Sequence, residues 1–302
     1  MGEPLLDDYL DFLAVRCRPN SVMAARFDLK VFFEVAAKPV AAVSAADVLG
    51  FITAQRTGAR CLPEPGVRAA PTDPVGVCSR TIRRRLSTVS GLYAFLAVRG
   101  DVPTNPVPRG LPTRREQGRP GQGVPLVRAP CRTLPRILTP ADVDALTGAL
   151  RTQRDRAMVA AMVLGALRRC EVLGLRLGDV NAGERRLFIN EGKGGSQRLV
   201  PISPRFFEHL AAYLDQERPA DADTDALFLV LKRPRRGQPL TAYGIDQVMD
   251  DARARAGLAH ASCHELRHTC LTRLREAGMP LEAVQAQAGH ASIESTRIYL
   301  HL

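Results

Sequence analysis

Two stretches without hydrophobic periodicity divide this chain and limit what it can fold into. Pro and Gly cluster at residues 57–78, and the run from Asp101 to Arg132 is rich in Pro, Gly and Arg. Such compositions favour neither helix nor strand, so we interpret the first stretch as an insertion and residues 111–132 as a linker. The sequence therefore predicts two domains, at residues 1–110 and 133–302, and each is long enough to bury a core.

The first domain is predicted to be helical. Apolar residues recur at helical spacing in residues 5–16 and again from about 20 to 35. Ser44 is predicted to begin a third helix that extends towards Arg56, because Ser is a favoured residue at helix N-termini. A fourth helix is predicted to run from Ser79 to about Val98.

The fourth predicted helix carries a basic run beside an apolar one. Ile82, Leu86 and Val89 have the spacing of a core face. A solvated surface is one interpretation of the basic side chains, and contact with a phosphate backbone is the other. The candidate DNA-binding residues of this helix are Arg80, Arg83, Arg84 and Arg85.

Charge favours the DNA interpretation. The formal net charge is +11 and the isoelectric point is about 9.8, which suits a polyanionic partner such as nucleic acid. A second candidate DNA contact is a basic loop that contains Lys232, Arg233, Arg235 and Arg236. No apolar run approaches the length of a membrane span and no signal sequence opens the chain, so we expect a cytoplasmic protein.

The second domain mixes helices with one strand pair. Residues 152–173 are predicted to form a long apolar helix with Arg168 near its end, where Glu171 is placed to pair with it. Residues 186–190 and 198–202 are predicted strands around a Gly-rich hairpin loop. Further helices are predicted to begin at Thr139 and to cover residues 204–216 and 241–256. The predicted fold class is therefore mainly α with a small antiparallel β-sheet, an α+β domain.

The last forty residues concentrate reactive side chains. Ser262 is predicted to cap a helix that runs from Cys263 to about Glu276, and His264 and Arg267 then share one face near its N-terminus. A helix N-terminus favours bound anions such as phosphate. A short helix from Pro280 is predicted to end at Gly289, just before His290, and Tyr299 is predicted to lie in a last helix capped by Ser292.

The same segment also matches a zinc-protease motif. His264 and His268 flank Glu265 as in H-E-x-x-H, where two histidines bind the metal and the Glu acts as general base. The downstream candidates for a third ligand do not have a familiar spacing, and the cation of Arg267 lies between the two histidines. We therefore expect no metal and no cofactor. The seven scattered cysteines include no C-x-x-C, so they predict neither a zinc knuckle nor a disulfide framework.

Five separated motifs resemble, in sequence, order and spacing, those of the tyrosine recombinase (phage integrase) family. They are the segment Leu164 to Leu175, the loop Gly192-Lys193-Gly194-Gly195, the pair His264 and Arg267, the pair Gly289-His290, and Tyr299. The likeness covers the chain from about Arg132 to its end. More loosely, the four helices before it resemble the helical core-binding (SAM-like) domain of two-domain, Xer-like members.

The resemblance implies a site-specific DNA recombinase that cleaves and rejoins strands through a 3′-phosphotyrosyl intermediate. It assigns catalytic roles to Arg168, Lys193, His264, Arg267, His290 and Tyr299, with Glu171 as a supporting acid. Tyr299 would be the nucleophile, and two arginines would hold the non-bridging phosphate oxygens. Lys193 would protonate the leaving 5′-oxygen, His264 would help to move the tyrosine proton, and His290 would donate to the phosphate.

The resemblance also implies partners. Double-stranded DNA would be the substrate, bound by a homo- or hetero-tetramer on synapsed recombination sites. Related recombinases usually continue past the tyrosine, whereas this chain stops three residues after it, so we expect a longer gene product or an assembly that uses other surfaces. A type IB topoisomerase-like nicking and closing enzyme and a non-catalytic DNA-binding relic stay open as alternatives.

Overall fold

A computed structural model describes residues 3–58, 76–110, 124–129, 135–190, 197–290 and 292–300. The predictions for most of the insertion, for most of the linker and for Lys193 fall outside these residues. Helices dominate and one small antiparallel sheet accompanies them, which confirms the predicted fold class. The chain separates into two compact units, residues 1–132 and 133–302. No helix in the described ranges is long and apolar enough to cross a membrane.

In the described part of the first unit, four α-helices surround one core. They are α1 (Pro4–Arg16), α2 (Pro19–Ala36), α3 (Ala45–Thr57) and α4 (Ser79–Arg99). Ser44 begins α3 as predicted, because the Asp47 carboxylate accepts hydrogen bonds from its amide at 2.8 Å and its hydroxyl at 2.7 Å. Phe32, Phe51 and Leu92 are fully buried between the helices.

The structure corrects the prediction that Arg85 contacts DNA. Its side chain is fully buried, because it lies three residues after Ile82 on the face that packs into the core. The guanidinium donates to Gln55 Oε1 and lies 3.7 Å from the Asp28 carboxylate. A buried charge needs such partners, so Arg85 serves the core of the unit rather than a phosphate.

The second unit builds a helical layer against a three-stranded sheet. Its helices are α5 (Pro140–Gly148), α6 (Gln153–Gly165), α7 (Arg169–Gly174), α8 (Pro204–Gln216), α9 (Ala242–Arg255), α10 (Cys263–Glu276) and α11 (Leu281–Ala288). Strands β1 (Val180–Asn181), β2 (Arg186–Ile189) and β3 (Arg198–Pro201) pair antiparallel in sequence order. The two predicted strands are confirmed, and the short β1 was not predicted.

The single helix predicted over residues 152–173 is wrong. α6 ends at Gly165, and Ala166 adopts a left-handed conformation with φ of 56°. The chain then turns, and Arg168 becomes the N-cap residue of α7. The backbone N–H of Arg168 donates to the Glu171 carboxylate at 2.8 Å. The break matters because it places Arg168 at the start of a helix rather than on the side of one.

Tyr299 lies in a short 3₁₀ turn (Arg297–Leu300) that follows another at Ile293–Ser295, so the predicted last α-helix is absent from the described residues. Ser292 does cap the first of these turns. The Tyr299 ring packs into a small apolar cluster with Cys270 and Leu271 of α10 and Val284 and Ala288 of α11. These contacts hold the C-terminal segment against the two helices.

Candidate active site

One buried carboxylate organises the candidate site. The Glu171 side chain is fully buried, and guanidinium groups from three different elements surround it. Arg168 donates from Nη1 at 2.6 Å, and Arg198 of β3 donates from both terminal nitrogens at 3.0 and 2.9 Å. Arg267 of α10 lies 3.9 Å away. Three positive groups around one negative group leave about two uncompensated positive charges.

The C-terminus of α11 holds the same three arginines. Arg198 Nε donates to the carbonyl of Gln287 at 3.3 Å, and Arg168 Nη2 donates to that of Gly289 at 3.0 Å. Between them, Arg267 Nη2 donates to the carbonyl of Ala288 at 2.6 Å. Terminal carbonyl groups of a helix carry partial negative charge and lack partners within the helix, so they are good acceptors for cations.

Electrostatics keep this cluster charged near neutral pH. Burial alone would raise the pKa of Glu171, but hydrogen bonds from Arg198 and from the Arg168 amide outweigh it and lower the pKa. Burial, followed by the charge of Arg168, lowers the pKa of Arg267 to about 10, which still leaves it protonated at neutral pH. The Arg168 side chain is 18% exposed and the Arg267 side chain 3%, so Arg168 is the more accessible of the two.

His290 joins the cluster through Arg267. Arg267 Nη2 lies 3.2 Å from His290 Nε2, while His290 Nδ1 lies 2.9 Å from the Thr296 hydroxyl. Because a guanidinium can only donate, Nε2 is the acceptor and Nδ1 carries the proton. Burial and the nearby arginine charges lower the pKa of His290 to about 4, so the imidazole is neutral in the free protein.

His268 is the residue that contacts the candidate nucleophile. Its Nδ1 lies 2.5 Å from the Tyr299 hydroxyl. Burial, then the neighbouring His264, lowers the pKa of His268 to about 4. Burial raises the pKa of the Tyr299 phenol to about 12. In the free protein the phenol therefore keeps its proton and donates a hydrogen bond to the neutral imidazole.

Sequence reasoning gave His268 no role beyond the zinc pattern and assigned proton movement to His264. The His264 ring stacks edge-on against His268, with 4.3 Å between ring centroids, and its side chain is exposed. Burial and the charges of Arg267 and Arg168 lower its pKa. The i, i+4 spacing of the two histidines on α10 was the available signal, since it places both on one face.

The structure brings most of the predicted residues together. Arg168, Glu171, Arg267 and His290 are linked by direct contacts, and His264 and Tyr299 are linked to each other through His268. Lys193 lies outside the described residues. Within the described ranges, no group of three or more His, Cys, Asp or Glu side chains could hold a metal ion.

The other predicted DNA-binding residues lie on exposed surface of one unit or the other. Arg80, Arg83 and Arg84 are exposed on α4, and Arg84 also pairs with Asp28 at 3.0 Å. The loop residues Lys232, Arg233, Arg235 and Arg236 are exposed on the second unit. Sequence reasoning missed two basic residues of α2, Arg26 and Lys30, which line a groove with Arg84. It also missed Tyr243, which is 78% exposed beside the basic loop.

Comparison with known proteins identifies relatives along nearly the whole chain. The sequence model of the phage integrase family matches residues 136–302. Tyrosine recombinase XerD of Mycobacterium tuberculosis (strain ATCC 25618 / H37Rv) is 32% identical over 314 residues, which cover 97% of this chain and 91% of that protein. Tyrosine recombinase XerC of Roseiflexus sp. (strain RS-1) is 32% identical over 235 residues, 74% of this chain and 69% of the relative.

Solved structures show the same fold. The XerH site-specific recombinase bound to palindromic difH substrate, in a post-cleavage complex, aligns with a TM-score of 0.71 and 18% identity over 98% of this chain and 80% of that one. A lambda integrase dimer bound to a COC' core site aligns with a TM-score of 0.68 and 16% identity, covering 98% and 76%. With a family match over more than half of its length and a relative at 32% identity over nearly all of it, this chain belongs to the phage integrase family and is a tyrosine recombinase, an enzyme of site-specific DNA recombination.

Proposed function

We propose that this recombinase binds double-stranded DNA and cleaves one strand with Tyr299, which forms a 3′-phosphotyrosyl bond. The observation that carries the proposal is the arginine cluster. Three guanidinium groups surround the single carboxylate of Glu171, and this cluster connects through Arg267 to His290. The excess positive charge suits a phosphodiester, whose negative charge increases in the transition state.

Arg168 and Arg267 are the proposed phosphate ligands. Arg168 is partly exposed and Arg267 lies beneath the surface beside it. Guanidinium groups bind phosphate oxygens with two parallel N–H groups, and their orientation is fixed here by Glu171 and the α11 carbonyls. Such preorganised donors stabilise developing charge without having to reorganise during the reaction.

The chemical step is a balanced exchange of one phosphorus–oxygen bond for another. Tyr299 Oη attacks the phosphorus, the bond from phosphorus to the 5′-oxygen breaks, and the phenol proton leaves as the new bond forms. The departing 5′-oxygen takes up a proton, for which the family resemblance assigns Lys193. A free 5′-hydroxyl of a second strand can reverse the step, because the tyrosyl ester retains the bond energy of the cleaved phosphodiester. The proposed reaction therefore needs no cofactor.

The free protein holds Tyr299 away from solvent. Its side chain is 1% exposed, and its hydroxyl is bound to His268. A phosphate can reach it only if the 3₁₀ segment that carries Tyr299 shifts. We infer that DNA binding includes this shift. A phosphate anion near the cluster would also raise the pKa of His268, which makes the neutral imidazole a better acceptor for the phenol proton.

The remaining basic surfaces are proposed to bind the DNA backbone. Exposed arginines of α4 and of the 232–236 loop suit phosphate contacts, which set position and orientation rather than base preference. We propose further that recombination occurs in a tetramer on two paired DNA sites. A DNA substrate also supports action in the cytoplasm.

The decisive test is covalent capture of DNA. Nicked duplexes from a randomised pool are incubated in EDTA with the wild-type protein or its Tyr299→Phe variant, and adducts are separated on denaturing gels. We expect an adduct with wild type and none with Tyr299→Phe, because the variant lacks the attacking oxygen. An adduct of undiminished yield in the variant would exclude Tyr299 as the nucleophile, and tight DNA binding without any adduct would exclude strand cleavage by this chain.

A further inference from the structure

Arg198 donates hydrogen bonds from all three of its guanidinium nitrogens, yet no catalytic role assigned above involves it. It is the first residue of β3, where it pairs with Ile189 of β2. Its side chain is 11% exposed. Both terminal nitrogens donate to the two oxygens of Glu171, and Nε donates to the Gln287 carbonyl.

This geometry directs Arg198 towards protein atoms rather than towards a phosphate. The paired hydrogen bonds to Glu171 are 3.0 and 2.9 Å long, the two-pronged arrangement that fixes both groups in one plane. Arg168 shares the same carboxylate and lies on the exposed side of it. Arg198 therefore holds the Glu171 carboxylate in place, and that carboxylate in turn orients Arg168.

The end of α11 is shaped around the Arg198 guanidinium. Gly289 has φ of 59°, and a Cβ built there would lie 2.7 Å from Arg198 Nη1 and 2.9 Å from Cζ. Next to it, the buried Gln287 amide donates to the carbonyls of Gly165 and Pro201, at 3.1 and 3.2 Å. These contacts connect α6, β3 and α11 at the position where Arg198 meets Glu171.

We propose that Arg198 is a positioning residue for strand cleavage: its guanidinium, held beside the end of α11, fixes the Glu171 carboxylate, and through that carboxylate it orients Arg168 towards the scissile phosphate. The inference rests on the proposed function, because it requires Arg168 to bind that phosphate. Arg198 itself does not touch the reacting atoms. Its removal would leave Glu171 with Arg168 and Arg267 as its charged neighbours.

The first experiment compares Arg198→Met and Arg198→Lys with wild type in single-turnover adduct formation at saturating nicked duplex. Loss of a group that orients a reactive residue typically lowers activity about 10- to 100-fold, and we expect that loss for Arg198→Met with a DNA Kd near that of wild type. Lys keeps the charge but not the two-pronged geometry, so Arg198→Lys should recover only part of the rate. Arg186→Met, an exposed arginine of β2 with the same substitution, should leave the rate unchanged.

A double-variant cycle with Glu171→Gln tests the route of the effect. If Arg198 acts through Glu171, the Arg198→Met/Glu171→Gln protein should cleave no more slowly than Glu171→Gln alone. Rate losses that multiply would overturn the proposal, because they would mean that Arg198 acts independently of Glu171. A wild-type rate in Arg198→Lys would also overturn it, and this variant keeps the test open if Arg198→Met does not fold.

A measurement without DNA separates this inference from the proposed function. Carbon-detected NMR of the Glu171 carboxyl should show an upward shift of its pKa in Arg198→Met, since burial persists while the strongest hydrogen bonds are lost. In the pH profile of the rate of adduct formation, the apparent pKa of the low-pH limb should rise in parallel. An unchanged Glu171 titration would contradict the positioning role. Absence of adduct with wild-type protein would contradict the proposed function instead.

Discussion

At the scale of single residues, burial sets the protonation states of the candidate site. His268 and His290 have pKa values lowered to about 4, whereas burial raises the pKa of Tyr299 to about 12. These groups lie in or beside a cluster of guanidinium charges, which disfavours a further positive charge on either imidazole. The free protein therefore presents neutral acceptors, a protonated phenol and charged arginines.

One prediction concerns the His268 side chain. Replacing His268 with Gln retains an oxygen that accepts a hydrogen bond but removes the group that can accept a proton. We expect adduct formation to slow by about 10²- to 10⁴-fold, the usual effect of losing a general base. His209→Gln is the matched control, because His209 is also partly buried and hydrogen-bonded but contacts Gln153, the first residue of α6, rather than Tyr299. Full activity of His268→Gln would assign the proton to another acceptor, with His264 the adjacent choice.

At the scale of a helix, α4 shows how neighbouring residues within one turn can lie on the surface or in the core. Arg83 and Arg84 are exposed, whereas the next residue, Arg85, is fully buried beside Gln55 and Asp28. The rotation of about 100° per residue explains the difference, since Arg85 falls on the stripe of Ile82. Neighbouring residues of the same type thus have different physical functions.

The α4 arrangement predicts opposite outcomes for neighbouring substitutions. Arg83→Gln should leave the unfolding free energy within about 0.5 kcal/mol of wild type. It should also weaken DNA binding and lower the salt dependence by about one phosphate contact. Arg85→Met should cost about 3–5 kcal/mol, because it leaves the buried Asp28 carboxylate without one of its cationic partners.

Urea unfolding and DNA titrations at several salt concentrations measure the two effects separately. A stable Arg85→Met protein with weakened DNA binding would contradict the assignment of Arg85 to the core and would make it a DNA contact instead. Arg84→Gln is a useful intermediate, because Arg84 is 41% exposed and also contacts Asp28.

At the scale of the whole molecule, the depressed histidine pKa values connect the site to pH stability. An unfolded histidine titrates near pH 6.5, but His268 and His290 remain neutral in the folded protein down to about pH 4. Between these values the unfolded chain binds more protons, so folding stability falls as the pH decreases from about 6.5 to about 4. Burial of these two histidines therefore has an energetic cost that appears only in mild acid.

We expect the free energy of unfolding to be lower at pH 5 than at pH 7 by on the order of 4 kcal/mol, about half from each histidine. Urea unfolding of the full chain, followed by circular dichroism, measures it. The His268→Gln/His290→Gln protein should show a flatter dependence because it lacks both titrating groups. Equal or greater stability of wild type at pH 5 would contradict the depressed pKa values.

The sequence by itself determined the elements whose causes are local. Ser44, Thr139 and Ser262 each begin a helix through contacts with a residue three positions away, and Gly289 ends one by adopting a left-handed conformation. The Gly-rich loop likewise predicted that the strands on either side of it, β2 and β3, form a hairpin. The motifs named Arg168 and Arg267 but not Arg198, and they named the histidine that follows Gly289 and the tyrosine. They also indicated the family that the comparisons confirm.

Only the tertiary structure decided which of these side chains meet. Arg198 contacts a carboxylate 27 positions earlier, Arg168 contacts a carbonyl 121 positions later, and His268 rather than His264 contacts the tyrosine 31 positions later. The left-handed turn at Ala166 and the burial of Arg85 also depend on what packs around them. Capping and periodicity act over one or two turns, whereas a charge cluster forms only when α7, β3, α10 and α11 come together in one core.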